Sequence, residues 1–275
     1  MATVTVLAVA GYFVMISPTS PDSTLVYREV AGHALRMELF SPRGASTTPR
    51  PAILFFHGGG WEWGAPEQFF PQCRFFAAQG YTCLSAAYRL ASKHGSTPSD
   101  AVQDAREAIR FLRRNARALG VIPHRIVVSG GSAGGHLAAA LATAIPLPDP
   151  GADAGTPVRP DALVLFNPIL NLAPGQPDHA KVGDRWYALS PFHHVGNAMP
   201  PTLILSGDRD HEVPVATLEV FCMAVRAKGG QCETHIYPGA GHGFFNAEVQ
   251  GGRYFKATTQ AVADFLLRLG WQPDQ

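Results

Sequence analysis

Three groups occur along the chain in an order that could activate a hydroxyl and attack a carbonyl. They are Ser132 in Gly130-Gly131-Ser132-Ala133-Gly134-Gly135-His136, Asp210 in Gly207-Asp208-Arg209-Asp210-His211-Glu212-Val213-Pro214, and His242 in Gly241-His242-Gly243. A serine hydroxyl is a poor nucleophile near neutral pH. It becomes competent when a base takes its proton and a third group holds that base in the working tautomer. Ser132 as nucleophile, His242 as base and Asp210 as orienting acid would meet those needs, and the chemistry would be acyl transfer through a covalent acyl-enzyme. The base must be neutral to act, so activity is expected to rise through one ionisation near about pH 6 to 7. Asp208 and Glu212 stand close enough to Asp210 to compete for the acid's role.

Such groups work only if the chain lifts the serine clear of its surroundings. Ser132 follows the apolar run Arg125-Ile126-Val127-Val128-Ser129 and opens an alanine-rich stretch, which reads as strand, sharp turn and helix. In that turn strand and helix backbones come so close that a Cβ at Gly130 or Gly134 would clash, and the helix N-terminus favours developing negative charge. Upstream, Pro51-Ala52-Ile53-Leu54-Phe55-Phe56 reads as a buried strand running into His57-Gly58-Gly59-Gly60-Trp61. Three successive glycines leave backbone N–H groups unobstructed, as an oxyanion hole requires. Strands are expected at 24–30, 34–40, 52–56, 81–87, 125–129, 161–166, 202–206 and 232–237, with helices at 67–79, 99–119, 133–144, 214–228 and 252–269. This alternation predicts an α/β fold with a mostly parallel, doubly wound sheet and helices on both faces, the first two strands forming a hairpin. The candidate groups then fall at the C-terminal ends of strands.

These four motifs, in this order, resemble the α/β-hydrolase serine esterases, and most closely the small-cap carboxylesterase branch that includes bacterial acetyl and feruloyl esterases. The resemblance runs from about Leu25 to Trp271. Where the hormone-sensitive-lipase-like branch has an acidic residue before the serine, this chain has Gly131, and the chain before Leu25 is too short for that branch's helical cap. The resemblance implies an oxyanion hole from the N–H groups of Gly59, Gly60 and Ala133, with Gly58 a further candidate. The family-like spacing Gly-x-x-Asp-x-x-Val-Pro selects Asp210 as the acid, while Asp208 is better placed to tie the loop together. Short-chain carboxylic esters, including acetylated carbohydrate, are the expected substrates, without cofactor or metal. Two other readings stand beside this one. The glycine loop also resembles arylformamidases and the Asp210 motif resembles prolyl-oligopeptidase-like peptidases, which would make the reaction amide hydrolysis. A catalytically silent α/β-hydrolase used as a binding module is disfavoured by the intact serine, acid and histidine.

The remaining features bound the problem. With 275 residues, 46% of them hydrophobic, one catalytic domain over 25–275 is expected. A formal net charge of +1 argues against nucleic acid or an anionic membrane as the main partner. In Ser99–Leu119 the acids come early and the arginines late, which complements the helix dipole and reads as a solvated face. Residues 1–24 form an apolar tail that reads either as an atypical secretory signal or as a packed extension, so the compartment, cytoplasmic or secreted, stays open. Cys73, Cys83, Cys222 and Cys232 have no metal-like spacing and read as buried thiols by default, with Cys73–Cys83 and Cys222–Cys232 the feasible disulfides. Asn167–Pro200 breaks the alternation and is the best candidate for a substrate-facing loop. Within the glycine loop and this excursion, Trp61 and Trp186 are the candidate substrate-binding aromatics. His57 and His136 are expected to be structural.

Overall fold

A computed structural model describes residues 20–43, 48–143, 145–148, 155–197 and 199–273. The apolar tail therefore lies almost wholly outside the described residues. The strands are β1 (Ser23–Val30), β2 (His33–Phe40), β3 (Arg50–Phe56), β4 (Thr82–Ala86), β5 (Val121–Gly131), β6 (Ala162–Phe166), β7 (Thr202–Gly207) and β8 (Cys232–Tyr237). They form one 8-stranded sheet in the order β1-β2-β4-β3-β5-β6-β7-β8. The β1–β2 hairpin and the β2–β4 pair are antiparallel, and every other pair is parallel.

Side chains alternate across a strand, so a sheet covered on both faces needs apolar residues at both parities. In β3, Ala52, Leu54 and Phe56 enter one core while Ile53 and Phe55 enter the other. In β6, Leu163 and Leu165 face the first core, and Val164 and Phe166 the second. The first core is covered by α2 (Pro98–Arg114), α3 (Ala133–Ala142) and α4 (Val215–Ala227), through residues such as Ile109, Leu137 and Phe221. The second is covered by α1 (Phe70–Ala78) and α5 (Arg253–Arg268), through Phe76, Phe265 and Leu266. Among the described residues no helix is long and apolar enough to cross a membrane.

Three expectations change. Helix α2 stops at Arg114 rather than running to Leu119, because Asn115 leaves the helical conformation and bonds back to the Phe111 carbonyl through Nδ2, 2.8 Å away. Its start is fixed by a capping box in which the Thr97 hydroxyl accepts from the Asp100 N–H and the Asp100 carboxylate from the Thr97 N–H. Nor is its charged side merely solvated. Asp104 is fully buried, and its carboxylate is held by Arg28 and by Arg89, whose Nε lies 2.9 Å from Oδ2. Arg106 and Arg110 are also buried; the Arg106 guanidinium donates to the carbonyls of Leu147 and Pro148. Charge order along the helix reports the dipole but not the face, and Arg28 and Arg89 come from β1 and the segment after β4. Lastly, Cys222 of α4 and Cys232 of β8 form a disulfide across 5.2 Å between Cα atoms, whereas Cys73 and Cys83 stay free and buried.

The excursion after β6 is not structureless. Among the described residues it holds four short helical turns, at His179–Val182, Gly183–Arg185, Trp186–Leu189 and Pro191–His194. It is tied to the body by His136 Nε2 donating to the Leu189 carbonyl at 2.7 Å and by the Leu172 N–H donating to Ser190 Oγ at 3.1 Å.

Candidate active site

Ser132 sits between β5 and α3 at φ 53° and ψ −116°, a conformation that costs a non-glycine residue about 1–3 kcal/mol. Its neighbours explain how that strain is held. A Cβ on Gly134 would lie 2.0 Å from the Phe56 carbonyl oxygen, and one on Gly130 would lie 2.4 Å from the Gly134 carbonyl carbon. The turn therefore needs glycine at both flanks, as the spacing predicts. The Ser132 N–H donates to the Phe166 carbonyl at 3.0 Å, which pins the turn to the end of β6.

The acid and the histidine come from the ends of β7 and β8. These loops meet closely, since a Cβ on Gly207 would fall 2.0 Å from the Ala240 carbonyl oxygen. Asp210 Oδ2 accepts from His242 Nδ1 at 2.9 Å, while Oδ1 accepts from the N–H groups of Glu212 and Val213, each at 2.9 Å. Burial pushes the Asp210 carboxyl up, but the His242 hydrogen bond and the two backbone donors outweigh it and hold the group below its ordinary value. Burial likewise opposes charging of His242, yet the Asp210 hydrogen bond and charge, followed by Glu212 and Asp178, raise its pKa above 6.5. Asp208 instead accepts from the Gly239 N–H at 2.7 Å and so ties the two loops together.

Ser132 and His242 line the same cavity, of 440 Å³. Among the described residues Ser132 makes no hydrogen bond to the imidazole. His242 Nε2 has Glu212 Oε2 at 3.5 Å instead. Catalytic hydrogen bonds often tighten only when substrate is bound. Gly58, Gly59 and Gly60 form one wall of the cavity, and the Gly58 N–H is already committed to Gln68 Oε1 at 2.7 Å. That leaves Gly59 and Gly60 as the open donors of this loop. Ala133 opens α3, a position whose N–H has no intrahelical acceptor. Gly59 has φ 110°, and a Cβ there would fall 2.1 Å from the Trp63 carbonyl oxygen, so the loop's tight turn depends on glycine.

The two predicted tryptophans lie elsewhere. Trp61 is 2% exposed, packed edge-on against His136 with centroids 5.0 Å apart, and Trp186 is half-buried against Tyr187 and His193. Neither lines the cavity; Trp63, 66% exposed, does. A glycine loop displays its backbone and turns adjacent side chains inward, so the tryptophan nearest the motif becomes core. His57 and His136 have the structural roles expected of them. Burial lowers both pKa values to about 4, and His57 Nδ1 donates to the Gly58 carbonyl at 2.7 Å. Asn167 and Lys181 bring the excursion expected to face the substrate to the cavity, although neither was singled out within it, and Gln68 was not foreseen there. Among the described residues no group of three or more His, Cys, Asp or Glu is arranged to hold a metal ion.

Comparison with known proteins bears on the family and the fold. The BD-FAE family model matches residues 37–146, and the Dienelactone hydrolase family model matches residues 173–269. The apo form of Thermogutta terrifontis esterase 2 superposes with a TM-score of 0.89 at 36% identity, covering 94% of this chain and 98% of that one. This chain belongs to the α/β-hydrolase esterase family. Other members include Esterase LipC of Mycobacterium tuberculosis, 29% identical over 84% of this chain, and an acetylxylan esterase of Xylanibacter ruminicola, 26% identical over 78%. The chain spans 61% and 44% of the lengths of those two relatives. Within the esterase family, a solved form of the Thermogutta enzyme phosphorylated by paraoxon is 37% identical, with a TM-score of 0.86 and coverage of 92% of this chain and 96% of that one.

Proposed function

We propose that the protein hydrolyses short-chain carboxylic esters through an acyl-enzyme. The observation that carries this reading is the 2.9 Å hydrogen bond from His242 Nδ1 to the buried Asp210 carboxylate, on a ring that shares its cavity with the strained, partly exposed Ser132. Ser132 Oγ attacks the ester carbonyl carbon while His242 Nε2 takes its proton. The carbonyl oxygen gains the negative charge, and the N–H groups of Gly59, Gly60 and Ala133 receive it. Collapse of the tetrahedral species breaks the bond to the alcohol oxygen, which takes the proton back from His242. Water, deprotonated by the same nitrogen, then releases the acid and restores Ser132.

Several features support a short acyl group. The cavity's large apolar side chains are Trp63, Ile169 and Phe245, and apart from Ala65 the other lining residues are glycine or carry polar or charged side chains. Thermogutta terrifontis esterase 2 has been solved with butyrate and with propionate bound. The acetylxylan esterase among the relatives makes an acetylated carbohydrate the first natural substrate to try. The cavity's carboxylates, Glu67, Asp178, Glu212 and Glu248 against the single Lys181, disfavour an anionic alcohol group. The test is steady-state turnover of p-nitrophenyl acetate, acetylated xylan and N-formylkynurenine by the wild type and by Ser132→Ala. The variant is expected to lose roughly four to six orders of magnitude in kcat on the esters while staying folded. Cleavage of N-formylkynurenine with no ester turnover would replace the esterase reading with an amidase.

A further inference from the structure

Asn167, the first residue after β6, has three features that the scheme above does not use. Its side chain is fully buried. Its backbone lies at φ 34°, in the region that favours glycine, and is held there by its N–H donating to the Leu205 carbonyl at 2.7 Å. Its amide meets the candidate base, with Nδ2 3.3 Å from both Nδ1 and Nε2 of His242, while Oδ1 is buried with no hydrogen-bond partner. Equal contact with the two ring nitrogens has a geometric consequence. An atom in the ring plane and equidistant from both would collide with Cε1, so the amide lies over the face of the imidazole. It engages neither nitrogen along its in-plane bonding direction. Nδ1 is directed at Asp210, and Nε2 is left to the cavity.

We propose that Asn167 is a positioning residue: its amide forms a polar wall on the His242 ring face that keeps Nδ1 on Asp210 and Nε2 turned to the cavity while the ring gains and loses its proton. The proposal rests on the triad reading above. The amide suits a ring that changes charge because its two ends differ. An N–H directed at the π face favours the neutral imidazole, and a carbonyl oxygen there favours the imidazolium. Because Oδ1 holds no partner, rotation about the last side-chain bond exchanges the ends without breaking a hydrogen bond at the oxygen. The charged groups that raise the His242 pKa are acids, Asp210 and Glu212 from the β7 loop and Asp178 from the excursion, and the cation Lys181, 3.0 Å from Asp178, lines the same cavity. Asn167 adds a neutral polar group to this set. Asparagine also tolerates positive φ better than most residues, which reconciles the backbone with the side chain.

Two substitutions that the backbone accommodates separate this role from simple space-filling. Asn167→Gly suits the positive φ and removes the wall, and Asn167→Asp keeps the shape but fixes a negative charge over the ring. With active sites titrated by paraoxon, Asn167→Gly is expected to lose about ten- to hundred-fold in kcat per site with KM little changed, since misplacing a catalytic group costs on that order. Asn167→Asp is expected to move the acid limb of kcat/KM upward by about one pH unit. A kcat per titrated site within about two-fold of wild type in Asn167→Gly, or an unmoved acid limb in Asn167→Asp, overturns the proposal. If paraoxon fails to label the wild type at Ser132, the triad reading falls and this role falls with it. A labelled, active wild type beside an unaffected Asn167→Gly overturns the role of Asn167 alone.

Discussion

At the scale of single residues, the two neighbouring aspartates are separated by what they bond. Asp210 takes the His242 ring and two backbone donors, and Asp208 takes the Gly239 N–H. Asp210→Asn should therefore cost on the order of ten-thousand-fold in kcat by fixing the wrong tautomer, as in a triad. Asp208→Asn should cost far less, and steady-state kinetics of the two variants side by side checks the ranking. The sign of the pH dependence also follows from the site. His242 accepts a proton only when neutral, and Asp210, Glu212 and Asp178 raise its pKa. Activity is then lost as pH falls through a midpoint above 6.5, higher than an unperturbed imidazole would give, and a kcat/KM profile reads this directly. Ser132, Asp210 and His242 could be singled out because the proposed chemistry fixes both residue type and glycine spacing, and the Asp210–His242 hydrogen bond accords with that reading. Trp63 and Gln68 could not be, because a cavity wall is assembled from separate loops and carries no local pattern.

At the scale of elements, the apolar runs were the most readable part of the chain. Predicted strands 24–30, 52–56, 202–206 and 232–237 agree with β1, β3, β7 and β8 to within two residues at each end. The runs of β3 and β7 are buried on both faces, and few other placements satisfy them, whereas β1 and β8 are the half-exposed edge strands. The excursion after β6 was visible only as a break in the alternation. Its helical turns are held by contacts distant in sequence, such as His136 to Leu189 across 53 residues, and so leave no periodic trace. The Cys222–Cys232 link has the same character, since which cysteines pair depends on how α4 lies on β8. Closing a short loop of this kind stabilises a fold by about 2–3 kcal/mol in the chain-entropy model. Cys222→Ser should lower the unfolding free energy by about that amount, measured by denaturant titration, with kcat/KM on p-nitrophenyl acetate unchanged at room temperature.

At the scale of the whole molecule, the sheet gathers the ends of β3, β5, β6, β7 and β8 at one edge, where the glycine loop, Ser132, Asn167, Asp210 and His242 come together at the proposed active site from five separate strands. A volume of 440 Å³ with three large apolar side chains, Trp63, Ile169 and Phe245, gives a long acyl chain few places to be buried. Each buried methylene contributes about 0.8 kcal/mol, so a site that leaves the chain in water forgoes that gain at every carbon. p-Nitrophenyl acetate and butyrate should be hydrolysed much faster than the decanoate or palmitate, and equal rates across the series would contradict the short-acyl reading. The central claim, that Ser132 is the nucleophile activated by His242 and Asp210, is tested most directly by reacting the protein with paraoxon and mapping the adduct by peptide mass spectrometry. One diethylphosphoryl group per chain is expected, on the peptide containing Ser132, with stoichiometric release of p-nitrophenol, parallel loss of esterase activity and no labelling of Ser132→Ala. An adduct on another residue, or full activity in protein labelled at Ser132, would contradict it.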